Sequence, residues 1–233
     1  MLGTDTDSHL SILFTDVEGS TVHWETEKDK MSESLARHDH IVRDMIASLR
    51  GHVFSVAGDS FGVIFSESAD TLDASRRVLR SIQQEDWSEG VEISVRLSLH
   101  SGAVYQRDNG AYGPEIVRAA ILCEIGHASQ ILCTQDFVGK ITNVETRCLG
   151  RCRLRKISEP LLVHQIVSES FARLRNVTKK VCTVPASRDA LIGRQEHTAA
   201  LHELMDSTRL LSLVVPGGVG KATLACGLAV YSQ

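Results

Sequence analysis

No charge of one sign dominates this chain: 25 Lys and Arg stand against 29 Asp and Glu, for a net charge of −4. A global basic field that would draw it to nucleic acid or to an anionic membrane is therefore excluded. No C-x-x-C pair occurs among Cys123, Cys133, Cys148, Cys152, Cys182 and Cys226, and no histidine cluster completes a zinc site. Reduced thiols in a cytoplasmic protein are the expectation. No basic segment followed by an apolar run opens the sequence, so no signal peptide is expected. The longest apolar stretches, such as 210–215, are far too short to span a bilayer, and no membrane association is expected. Internal repeats are absent. The basic residues that cluster locally, Arg147, Arg151, Arg153, Arg155 and Lys156, then Arg173, Arg175, Lys179 and Lys180, read as a solvated strand face and a charged linker.

What is present is an ordinary globular composition, 42% hydrophobic and 23% charged over 233 residues, enough for one domain of about 150–170 residues and a tail. Residues 9–15 form a short apolar run that reads as a strand, and it leads into the turn-forming DVEGST. Met31, Leu35, Val42, Met45 and Leu49 recur at helical spacing and predict a helix over 24–50, with Gly51 as its cap. In HVFSVAGDSFGVIF, two β-rich runs flank Ala-Gly-Asp-Ser and predict a hairpin with Asp59 at its tip. A second amphipathic helix over 69–84 carries Leu72, Ser75, Leu79 and Ile82 on one face.

Residues 91–100 alternate strictly. Val91, Ile93, Val95, Leu97 and Leu99 are expected to face a core, and Glu92, Ser94, Arg96, Ser98 and His100 to face away. Pro114 opens a third helix to about Gly126. QILCT is a further strand, and 146–167 closes the set. This order predicts an α+β fold, ferredoxin-like, with an antiparallel-rich sheet and helices on one face. A polar, basic linker is expected over 168–190. Over 191–233, the order helix, strand, then glycine loop opening a helix predicts a short strand–loop–helix remnant.

A two-metal site needs two carboxylates a few Å apart on rigid backbone, so that divalent ions can bridge phosphates and activate a hydroxyl. Asp16 at the end of the first strand and Asp59 on the hairpin fit that need if the first strand pairs beside the hairpin. Gly19 and Gly58 beside them allow close backbone approach to phosphate. Spacing alone leaves two turn aspartates as the simpler account. Four motifs in order shift the balance. FTDVEGST, AGDSF, VRLSLHSGAV and YGPEIVRAA resemble the catalytic domain of class III adenylate and guanylate cyclases, over about residues 8–167. The most similar subgroup is bacterial and carries this domain fused to an NB-ARC-type ATPase, often with a LuxR-type DNA-binding domain.

The resemblance implies a head-to-tail dimer with ATP or GTP bound at the interface on two Mg²⁺ or Mn²⁺ ions. Asp16, Asp59 and the backbone carbonyl of Val17 fall at the metal positions. The remaining positions depart from the family. Ser55 stands for the base-reading lysine, Gly110 for the second base-reading residue, Val117 for the ribose-orienting asparagine and Ile121 for the arginine that stabilises the pentavalent phosphate. Losing one such group costs about 10²–10³ in rate. The implied reading is a degenerate cyclase domain with little or no activity, acting in cyclic-nucleotide-linked intracellular signalling as a homodimer. A weak cyclase, or the metal-binding half of a heterodimeric cyclase, stays open beside it.

The segment VPGGVGKAT resembles a Walker A loop, with Gly217, Gly218, Gly220 and Lys221 placed to cradle phosphate. Val215 replaces its first glycine and Ala222 its magnesium-binding hydroxyl. The segment 191–233 is therefore expected to be the truncated start of a P-loop ATPase module that does not hydrolyse nucleotide. No helix-turn-helix follows, so DNA binding is not expected.

Overall fold

The computed structural model describes residues 6–87, 90–108, 110–154, 157–166, 171, 172, 174, 175, 177, 201 and 204. The chain divides into two compact units, Met1–Thr178 and Lys179–Gln233. The expected P-loop with Gly217, Gly218, Gly220 and Lys221 lies outside the described residues, as does most of the expected linker.

The first unit is built on one mixed sheet. Its elements in chain order are β1 (Thr6–Val17), α1 (Ser20–Thr26), α2 (Lys28–Ser48), β2 (His52–Ala57), β3 (Ser60–Phe65), α3 (Ser68–Gln84), β4 (Val95–Arg107), β5 (Gly110–Tyr112), α4 (Pro114–Glu124), β6 (Ile131–Thr134), α5 (Gln135–Val138), β7 (Thr146–Cys152) and β8 (Leu161–Ile166). The strand order is β2-β3-β1-β4-β6-β8-β7, with β5 added on β4. All pairings are antiparallel except β4 with β6, which the α4 crossover makes parallel. The α+β, antiparallel-rich architecture is the one the sequence predicts.

Strand alternation divides the apolar residues between two faces. Leu13, Val63, Leu97 and Leu99 meet Met31, Val42 and Ile46 of α2 and Leu72, Val78, Leu79 and Ile82 of α3. On the opposite face Ile12, Ile64 and Val104 meet Ala119 of α4. Helices therefore cover both faces, where the sequence predicts one. Ser98 and His100, expected to face solvent, are buried under α4. Each has found a partner there: Ser98 Oγ donates to the Ala119 carbonyl at 2.7 Å, and His100 meets Thr134 Oγ1 at 2.7 Å and Glu115 at 2.5 Å. Buried polar groups are tolerated when paired in this way.

Three boundaries also differ. The helix expected over 24–50 is two helices, broken at Glu27, where φ is −140° and ψ 52°. The shorter piece, α1, buries none of its residues and so has no packing to continue the axis of α2. The strand expected from 91 begins at Val95. Val91 and Ile93 are buried all the same, but the Val91 N–H is taken by Ser34 Oγ at 2.8 Å rather than by a neighbouring strand. At the end of α2 it is Arg50, with φ 61°, that turns left-handed, while the Gly51 N–H bonds the Ile46 carbonyl. A side chain at Gly51 would strike Ile46 and Phe65, so glycine is there for space.

Burial sets an acid limit on this fold. Desolvation lowers the pKa of His38, His100 and His164 below their ordinary 6.5, and the carboxylates near the first two only partly offset it. The folded chain keeps these rings neutral while the unfolded chain takes up protons near pH 6.5, so stability is full above that pH and is lost below it. The melting temperature is expected to fall steadily from pH 7 to pH 5, each buried ring contributing at most about 1.4 kcal/mol per pH unit. A thermal melt series checks this. A flat profile would show that the rings protonate without cost.

Candidate metal and nucleotide site

The site grows from the β1–β3 pairing. Thr15 lies opposite Phe61, which brings Asp16, the next residue along, to the same strand end as Ser60. The hairpin turn between β2 and β3 holds Asp59 there, with Gly58 at φ 62° supplying the left-handed step. Past β1 the chain turns through Gly19 at φ 76°. A Cβ at Gly19 or Gly58 would meet nothing within 4 Å, so these glycines answer a backbone need and leave open space beside both aspartates. Asp16, Val17 and Asp59 are thus brought to one end of the sheet.

Asp16 is held tightly. Ser60 Oγ donates to its Oδ1, while Arg96 donates to Oδ2 from Nε at 2.8 Å and also from Nη2. Arg96 also donates to the Glu124 carbonyl at 2.9 Å. Burial works against the Arg96 charge, but the hydrogen bonds and attraction of Asp16 outweigh it and raise the guanidinium pKa above its ordinary value. The neighbouring Glu18 follows the same logic. Burial opposes its charge, yet bonds from Arg175 and from the Ala128 N–H hold its carboxyl below the usual range. Phe14, Thr15, Asp16, Ser60, Arg96, Ala120, Cys123, Glu124 and Arg175 line a cavity of about 620 Å³. Burial pushes the Cys123 thiol far up, so it is inert wall rather than nucleophile.

Asp59 is the contrast. Its Oδ2 is buried without a hydrogen-bond partner. An ionised carboxylate only accepts, so this oxygen calls for a donor or a cation. Among the described residues no group of three or more His, Cys, Asp or Glu is placed to hold a metal ion, which excludes an all-side-chain cage there. Two carboxylates and a backbone carbonyl are instead the donor set that suits a hard cation that keeps several of its waters. The residues present fit Mg²⁺ or Mn²⁺.

The other family positions do not converge on this site. Ser55 lies on β2, half-buried opposite Gly62 beside a register shift in the ladder. Gly110 starts the exposed β5. Val117 is 49% exposed on α4. Ile121 is 8% exposed, packed with Leu122, Ile125, Leu154, Leu161 and Val163, and with Leu174 and Val177 against the same cluster.

The sequence missed four contributors. Arg96 is expected outward by alternation, Arg175 falls in the predicted linker, and Ser60 and Glu18 are passed over as turn residues. Only Ser60 carried a local signal, its place beside Asp59 at a strand start.

Comparison with known proteins follows this geometry. No family model matches the chain. An uncharacterized protein of Mycobacterium tuberculosis is 30% identical over 202 residues, covering 80% of this chain and 67% of its own length. A receptor-type adenylate cyclase of Trypanosoma congolense is 23% identical over 269 residues, covering 92% of this chain but 35% of that protein. Among solved structures, an adenylate cyclase from Trypanosoma brucei in its monomeric state superposes with a TM-score of 0.66 at 21% identity, over 72% of this chain and 92% of that one. An adenylyl cyclase from P. aeruginosa gives 0.64 at 17%, over 74% and 98%.

Proposed function

We propose that this chain, similar in sequence and in fold to class III adenylate and guanylate cyclases, is a degenerate cyclase domain: one that binds a divalent-metal nucleoside triphosphate, turns it over slowly or not at all, and serves intracellular signalling. The observation that carries this reading is the unequal fate of the two halves of the site. Asp16 and Asp59 stand together at one sheet end, with a buried carboxylate oxygen still unpartnered. Ile121, where a transition-state cation belongs, is sealed in an apolar cluster.

Asp16, Asp59 and the Val17 carbonyl would hold Mg²⁺ or Mn²⁺, which when bound neutralises the triphosphate and acidifies the attacking hydroxyl. Ser60 orients Asp16. Arg96, paired with Asp16 in this structure, would be free to turn toward phosphate oxygens if a cation took over that carboxylate. Charge develops on those oxygens in the transition state, and a positioned cation there is worth about 10²–10³ in rate. Ile121 supplies none. Val117 cannot hydrogen-bond a ribose, and Ser55 is too short to read a base as a lysine would.

The same imbalance favours a second reading, the metal-holding half of a heterodimer. A partner chain that carries the lysine, asparagine and arginine would complete one site. Among the described residues no helix is long and apolar enough to cross a membrane.

The test incubates the full chain with Mn²⁺ and ATP or GTP, beside Asp16→Ala, and measures cyclic nucleotide by mass spectrometry and nucleotide binding by fluorescence. Metal-dependent binding that is lost in the variant, with at most trace product, is expected. Rapid turnover by the chain alone would overturn the degenerate reading, and binding that survives Asp16→Ala would overturn the metal site. Product appearing only on mixing with a cyclase chain that lacks its own metal aspartates would establish the heterodimer.

A further inference from the structure

Ile121, Leu122 and Ile125 on and just past α4 build an apolar seat, and the segment that follows β8 rests on it through Leu174 and Val177. Between these two anchors stands Arg175. Its backbone N–H donates to the Ile125 carbonyl at 3.0 Å, which fixes the backbone as well as the apolar flanks. Arg175 lines the cavity that Asp16 and Arg96 also line, and its guanidinium pairs with Glu18. A linker arginine needs none of this. Two apolar side chains, a backbone hydrogen bond and an ion pair together hold one arginine in the wall of the cavity that Asp16 lines.

We propose that Arg175 is a phosphate-binding residue of this site, which takes the polyphosphate of the metal-bound nucleotide from within the same chain. This rests on the reading of Asp16 and Asp59 as the metal site. The chemistry is that of an exchange. Arg175 is 42% exposed at its side chain and Glu18 23%, so the pair is wet enough to open at small cost. A triphosphate offers the guanidinium bidentate oxygens of higher charge than one carboxylate. The apolar residue at 121 thereby has a structural role: it forms part of the seat that delivers a cation at 175, where the resemblance would have placed one on α4 itself.

The experiment measures two bindings on the full chain: Mn²⁺ alone, by electron paramagnetic resonance, and a fluorescent ribose-labelled ATP or GTP with Mn²⁺ present. Arg175→Ala is expected to weaken nucleotide binding tenfold or more and to leave Mn²⁺ binding unchanged. Arg175→Lys should recover part of the loss, because a point charge remains without the fork. A labelled nucleoside, without phosphates, should bind parent and variant alike. Nucleotide binding that is unchanged or tighter in Arg175→Ala would overturn the proposal, and tighter binding would mark the segment as a plug. If Arg175→Ala lowers nucleotide and nucleoside binding equally, its role is structural and the proposal also falls. Should Asp16→Ala leave Mn²⁺ binding intact, the metal-site reading itself fails. That outcome is distinct from any of those at Arg175.

Discussion

Asp59→Asn is expected to raise the melting temperature of the metal-free protein and to abolish its response to Mn²⁺. In the free chain the Asp59 Oδ2 is buried with no partner. An unsatisfied buried polar group costs about 1–3 kcal/mol, and more when charged. The amide removes the charge and keeps the shape. A gain of about 1 kcal/mol corresponds to roughly 2–4 °C for a chain of this size. The parent should recover more than this when the cation binds, since a ligand at 100 times its Kd adds about 2.7 kcal/mol. Thermal melts with and without Mn²⁺ and nucleotide separate the two effects. A variant that melts lower when metal-free, or that still shifts with Mn²⁺, would show that Asp59 serves the hairpin and not a cation.

Ile121→Arg, which puts an arginine where the resemblance to class III cyclases implies one, is expected to destabilise the fold by about 3–5 kcal/mol, the cost of an uncompensated buried charge. Ile121 is 8% exposed and shares its cluster with Leu154, Leu161 and Val163. Ile121→Val, which removes one methylene, should cost only about 0.5–1.5 kcal/mol. Val117→Asn on the same helix, at a site 49% exposed, should stay within about 0.5 kcal/mol. Urea unfolding of the three variants decides the matter. An Ile121→Arg protein as stable as the parent would mean that this apolar cluster is soft enough to take a buried charge.

These contrasts also explain what the sequence revealed. Asp16 and Asp59 were legible because each sits in a local pattern, a strand running into a turn and a hairpin tip, and the pairing of β1 with β3 is the one the hairpin suggests. The alternation of β4 was legible too, but alternation separates faces without saying which is wet. Arg96, Ser98 and His100 alternate as the outward set, and the cover over them comes from α4, placed by the parallel crossover to β6. That contact is not local and leaves no periodic trace. Arg175 was hidden differently. Its neighbours are polar and basic, so composition reads as linker, and only the tertiary seat at Ile121 and Ile125 gives the position meaning. His38 shows the same limit inside a helix: a polar residue between charges on α2 is 0% exposed, its ring tilted against Phe61 at 5.9 Å.

Two of the carboxylates near this sheet end are already neutralised from within, Asp16 by Arg96 and Glu18 by Arg175. Apart from Asp59, a metal–triphosphate arriving here would meet little bare charge, and long-range steering, which speeds many charged encounters, would have little to act on. Association would become a trade of partners at contact distance. The Arg175–Glu18 pair is exposed enough to open readily, so the exchange would change who neutralises whom while leaving the count of unpaired charges at the site nearly level.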